Sequence, residues 1–142
     1  MTGREVRLHC RLRNPPIPRD ELVGFALDAL GKLGLEGEVG VVVCGERTIA
    51  ALNRRFRGKR GPTDVLSFPY AGPAGADGPY LGDIVIAAPV AQRAAKEEGR
   101  PLAVELKRLL LHGILHLAGY DHETDGGAMA RKERGLRRAW KL

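Results

Sequence analysis

No apolar run in this 142-residue chain approaches the roughly 18 residues of a membrane span, so no membrane-embedded segment is expected. The N-terminus, with Arg4, Glu5 and Arg7, lacks the apolar core of a secretory signal, and a cytoplasmic location is expected. Cysteine is scarce. Cys10 and Cys44 fall on separate predicted strands and read as two free thiols in a reducing compartment, neither a disulfide nor a zinc pair. Internal repeats and linkers are absent, and a hydrophobic content of 44% is ordinary for a globular protein, so one domain over residues 1–142 is expected. Acidic side chains are outnumbered, 17 against 23 basic, leaving a formal charge of +6 that favours polyanionic partners. The excess is clustered. Arg54, Arg55, Arg57, Lys59 and Arg60 share one short stretch, and Arg131, Lys132, Arg134, Arg137, Arg138 and Lys141 load the C-terminal helix. For that second cluster a solvated helix face is the simpler account, because Met129, Leu136 and Trp140 recur at helical spacing on the other side.

Histidine is scarce too, with four residues in all, yet three of them lie between His112 and His122. Residues four apart on a helix stand one above the other, so His112 and His116 can direct both imidazoles at one point. Gly119 can adopt positive φ, end the helix and return the chain, so that His122 approaches from outside. Three neutral imidazoles suit zinc, and three protein ligands leave the fourth position open, as in catalytic sites. A lone histidine on an apolar helix is usually a hydrogen-bonded core residue. Three together without a metal would leave several buried nitrogens unsatisfied, at roughly 1–3 kcal/mol each. His9 lies outside this site: from Val6 to Arg13 apolar and polar residues alternate, which places it on the solvent face of a strand.

The rest of the chain reads as an α+β domain, a small mixed sheet of about four strands packed with about five helices. After the first strand, Asp20 can cap a helix whose inward stripe is Leu22, Phe25, Ala26, Ala29, Leu30 and Leu33 and which stops near Gly34. Val39 to Cys44 reads as a strand buried on both faces, and the next helix turns Ile49, Leu52 and Phe56 inward before ending at Gly58. Strands are expected at Thr63 to Tyr70 and Leu81 to Ala87, joined by a Gly/Pro/Ala loop from Ala71 to Pro79 that can serve as a substrate flap. Pro89 opens a helix to about Gly99, Pro101 opens the helix bearing the two metal-binding histidines, and a last helix runs from about Asp125 to Trp140. The histidine helix is apolar almost all round and should be central and buried.

His-x-x-x-His-x-x-Gly-x-x-His is also the metal-binding skeleton of metzincin proteases, whose general base is a Glu directly after the first His. Here that residue is Gly113, and the basic surface favours an anionic substrate; a metalloprotease-like hydrolase stays an alternative.

His112-Gly-Ile-Leu-His116-Leu-Ala-Gly-Tyr-Asp121-His122 resembles the signature of the bacterial YbeY family. Leu52-Asn-Arg-Arg-Phe-Arg57-Gly-Lys-Arg-Gly-Pro-Thr-Asp64-Val-Leu-Ser-Phe-Pro69 and Leu81-Gly-Asp-Ile-Val-Ile86 resemble two further segments of that family. The resemblance implies a zinc-dependent, single-strand-specific endoribonuclease of ribosomal RNA maturation, acting at the end of the small-subunit RNA and in ribosome quality control. It implies one zinc ion on His112, His116 and His122, and single-stranded RNA and the ribosome or its proteins as partners; a non-catalytic RNA-binding ribosome assembly factor with a structural metal stays an alternative, although structural zinc usually has four protein ligands. Arg57 and His112 would be the catalytic residues. The position of Asp64 varies between Asn and Asp, so the match alone gives it no catalytic role. A metal can polarise a phosphate oxygen and acidify bound water to a pKa of about 7, while the planar fork of Arg57 can stabilise the charge developing on the phosphate. Asp121 can orient an imidazole, but a turn acid is the simpler reading.

Overall fold

A computed structural model describes residues 3–73, 78–121 and 125–142. Among these residues four strands and five helices follow in the order β1 (Arg4–Cys10), α1 (Arg19–Lys32), β2 (Gly37–Cys44), α2 (Glu46–Arg57), β3 (Val65–Pro69), β4 (Tyr80–Ala87), α3 (Ala88–Glu98), α4 (Leu102–Leu117) and α5 (Ala128–Trp140). The strands form one sheet in the order β1-β2-β4-β3. β1, β2 and β4 run parallel, and β3 returns antiparallel along β4, so the sheet is mixed, as the sequence reading expects.

Alternation decides which helices cover which face. Val39 and Val41 of β2 and Ile84 and Ile86 of β4 are buried against Leu22, Ala26 and Leu30 of α1 and Leu106, Leu110 and Ile114 of α4. Each such Leu or Ile contributes roughly 1.5–3 kcal/mol relative to exposure. On the other face Cys44, Leu66, Val85 and Ala87 pack with Ile49 of α2. α4 is the central helix: it contacts α1, α3, α5, β3 and β4, and Leu106, Leu110, Leu111, Ile114 and Leu115 are fully buried.

Several sequence expectations are corrected by this packing. β2 is buried on one face and only half covered on the other, because α2 reaches only the end of the sheet and the space above Gly40 is filled by the hydrogen-bonded pair Tyr80 and Asp83. Phe56 is not an inward residue. It is 57% exposed and only leans edge-on against Phe68, while Asn53 takes the buried position on α2. Asp20 lies inside the first turn of α1, where its charge complements the helix N-terminus, and Pro18 is the cap. Asp125 precedes α5 and accepts hydrogen bonds from the backbone N–H groups of Gly127 and Met129, so the helix starts three residues later than expected. The proposed flap between Ala71 and Pro79 lies partly outside the described residues. No helix among the described residues is long and apolar enough to cross a membrane.

Candidate functional site

His112 and His116 project from α4 where the helix lies closest to β3 and β4. That approach depends on Gly113. A Cβ there would meet the side chain of Ile84 at 2.9–3.0 Å, and the Gly113 carbonyl accepts the Ser67 hydroxyl at 3.5 Å. The position that carries a catalytic Glu in metzincins therefore faces the sheet with no room for a carboxylate. The histidines one residue before and three residues after it turn the other way, half-buried, with ring centroids 4.8 Å apart.

Each imidazole is oriented through its Nδ1. His112 Nδ1 donates to Glu133 Oε1 of α5 at 3.2 Å, and His116 Nδ1 donates to the carbonyl of Tyr120 at 3.1 Å. An acceptor on Nδ1 places the proton there and leaves Nε2 as the lone-pair nitrogen of the neutral ring, which is the arrangement a metal requires. The Tyr120 carbonyl is available because α4 ends as expected at Gly119, whose φ is +99°. Tyr120 N–H bonds back to Leu115 O and Gly119 N–H to His116 O, closing a Schellman turn that reverses the chain toward residue 121. His122, the expected third ligand, lies outside the described residues. Among the described residues no group of three or more His, Cys, Asp or Glu side chains is gathered to hold a metal, and of the three expected ligands only His112 and His116 are described.

Glu133 was not visible as a site residue in the sequence, where α5 reads as a basic helix. It sits on the inward stripe between Met129 and Leu136, 9% exposed, and binds Arg137 Nη2 at 2.8 Å as well as His112. Burial pushes its carboxyl up, but the hydrogen bond and charge of His112 and then Arg137 outweigh burial and hold it below the ordinary value. Arg137 is thus drawn out of the solvated cluster to which the sequence assigns it, while Arg131, Lys132, Arg134 and Arg138 remain exposed.

The two histidines open into a cleft of about 270 Å³ whose wall also includes Arg57, Lys59, Thr63, Asp64 and Ser67. Arg57 is the last residue of α2, and the helix stops there because Gly58 takes a left-handed conformation. Buried Asn53, also missed from sequence, donates its Nδ2 to Gly61 O at 3.0 Å and so fixes the loop that delivers Lys59, Thr63 and Asp64 to the cleft. A periodic apolar stripe with one amide in it was the available signal. Asp64 is the one acidic side chain in the cleft wall among the described residues. Asp121 lines an adjoining hollow with Arg57 and His116, and its carbonyl accepts Asp125 N–H at 3.1 Å, in keeping with a role in the turn. His9 is exposed on β1 at the far edge of the sheet, away from the cleft, as expected.

A cleft with this constitution occurs in a chain with clear relatives. Over 115 residues it is 51% identical to an endoribonuclease YbeY of Anaeromyxobacter sp. (strain Fw109-5), a match covering 80% of this chain and 58% of the relative. It is 42% identical over 131 residues to the endoribonuclease YbeY of Aquifex aeolicus (strain VF5), covering 92% and 86%. The chain thus spans little more than half the length of the Anaeromyxobacter relative but most of the Aquifex one. The solution structure of TM1509 from Thermotoga maritima superposes with a TM-score of 0.64 at 28% identity, over 96% of this chain and 91% of that one. The sequence model of the family described as endoribonuclease YbeY matches residues 20–141, and the chain belongs to that family.

Proposed function

We propose that this chain is a metal-dependent endoribonuclease that hydrolyses phosphodiesters of single-stranded RNA, in the cytoplasm, in ribosomal RNA maturation at the small-subunit end and in ribosome quality control. One zinc ion on His112, His116 and His122 is part of this reading. The observation that carries it is the convergence of two Nδ1-tethered histidines with Arg57 and Lys59 on one cleft. Membership of a family whose relatives are named endoribonucleases supports the same reading.

The donor set fits a borderline metal, since two imidazoles whose Nδ1 atoms are held by a carboxylate and a carbonyl would present Nε2 lone pairs when neutral. When bound, zinc supplies Lewis acidity toward a phosphate oxygen and acidifies water near neutral pH. The remaining work belongs to side chains. Arg57 binds a non-bridging phosphate oxygen with its planar fork and stabilises the charge that develops in the transition state, and Lys59 adds a point charge on the same wall. Glu133 holds the His112 ring so that its Nε2 lone pair keeps one direction. A protease reading finds no support at Gly113, where Ile84 occupies the space a general base would need.

His112→Ala and Arg57→Glu test the assignment on a labelled single-stranded RNA. Both variants should retain the fold, and each should lose cleavage by about 100-fold or more. Unchanged cleavage by both would contradict the assignment. Casein digestion by the zinc-loaded wild type would favour the protease instead, and RNA binding without cleavage would leave an assembly factor.

A further inference from the structure

His112 also lines a second hollow, of about 280 Å³, on the side of the cleft toward α3 and α5. Asp64, Val65 and His112 belong to both, so the two spaces adjoin along that edge. The second hollow is walled by three arginines from three places in the chain, Arg100 after α3, Arg108 on α4 and Arg137 on α5, together with the carboxylates Asp64 and Glu105. Arg108 lies four residues before His112, so the two share one face of α4, about 6 Å apart along the axis.

Carboxylates at least match these arginines in number, with Asp64 and Glu105 in the wall, Glu133 bonded to Arg137 and Glu98 4.0 Å from Arg100, but their pairing is uneven. Arg100 Nε bonds Glu105 Oε2 at 3.0 Å, and Arg137 Nη2 bonds Glu133 Oε2 at 2.8 Å. A guanidinium has five N–H donors, so each retains others. Arg137 Nε is buried and has no acceptor among the described residues. Arg108 makes no hydrogen bond or ion pair with a described residue, although it is half-buried and Glu105 and Glu133 lie within electrostatic range. Burial first, and then the charges of Arg137 and Arg100, pull its guanidinium below the ordinary value, with Glu105 and Glu133 opposing. An anion seated among them relieves that repulsion and gives the orphaned Nε an acceptor.

Continuity with the cleft says which anion. A strand whose reacting phosphate lies at Arg57 and the histidine pair presents its next phosphate a short distance along the backbone, and the hollow opens beside His112. We propose that Arg108, backed by Arg137 and Arg100, forms a second phosphodiester subsite that grips the RNA phosphate adjacent to the one being cleaved. This rests on the nuclease reading above. Arg108 here is a binding residue that fixes the register of the strand.

The test compares wild type, Arg108→Met, Arg108→Lys and, as a control for bulk charge, Lys32→Met, which alters an exposed cation at the end of α1. Binding of a fluorescent single-stranded RNA to metal-free protein is followed by anisotropy across a KCl series, and cleavage is measured on the zinc-loaded proteins. Methionine keeps the aliphatic stem, and circular dichroism verifies the fold of each variant. Arg108→Met should bind about tenfold more weakly. Its log–log salt slope should be shallower by about 0.7, the value for one phosphate contact on a single strand. Arg108→Lys should restore the slope, and Lys32→Met should follow the wild type. In cleavage, Arg108→Met should raise KM more than it lowers kcat. Equal affinities and slopes for Arg108→Met and Lys32→Met would overturn the subsite while leaving the nuclease reading intact. Binding with the predicted variant pattern, but no cleavage by zinc-loaded wild type, would overturn the nuclease reading and leave a phosphate-gripping hollow in a binding protein.

Discussion

Glu133 illustrates how a side chain distant in sequence completes a site that spacing had half revealed. The histidine pair was legible because four residues is one helical turn, and Gly119 because a turn there needs positive φ. Glu133 was not, since its partner His112 lies 21 residues earlier and only the packing of α5 on α4 brings them within 3.2 Å. Arg57 could be named from the family-like block, but that it shares a cleft with both histidines depends on where β3 lies. If the carboxylate aims the ring, Glu133→Gln should lower zinc affinity about 10- to 100-fold, as loss of an outer-sphere partner does. Competition with a chromogenic chelator measures it. An affinity equal to the wild type would show that Glu133 serves packing alone.

At the level of elements, α4 was the easiest to read and the sheet the hardest. A sixteen-residue helix so rich in Leu and Ile has one stable place, the centre of the domain, and α4 is there, with Lys107, Arg108, His112 and His116 on its half-buried side. Strand order is different. Nothing in the local alternation of β3 says that it pairs outside β4 and leaves β2 and β4 as neighbours. Phe56 shows the same limit: the 3.6-residue period selects it with Ile49 and Leu52, yet the ring meets Phe68 only edge-on and stays 57% exposed. Gly113 links these elements. Gly113→Ala should destabilise the protein by about 1–3 kcal/mol through overpacking against Ile84, although Ala is the better helix former. Ile84→Val in the same chain should recover part of the loss, so the denaturant midpoint of the double variant should exceed that expected from adding the two single effects. Strict additivity would separate the two residues energetically and remove the packing reason for the glycine.

For the whole molecule, composition pointed to a class of partner and left the site's wiring open. The +6 charge and its two clusters pointed to a polyanion. The fold distributes those clusters unequally: Arg57 and Lys59 reach the cleft, Arg137 turns inward to Glu133, and most of the α5 cations face solvent. Charge counting cannot make that division, because it depends on which helix face is covered. The central claim is that the cleft cuts single-stranded RNA through a metal held by the three histidines. It is tested most directly by stripping the purified protein with a chelator, assaying a single-stranded RNA, and titrating zinc back while bound metal is measured. Cleavage should vanish on stripping and return in step with one zinc per chain. Cleavage that persists in fully stripped protein, or a fully zinc-loaded protein that leaves the RNA intact, would contradict it.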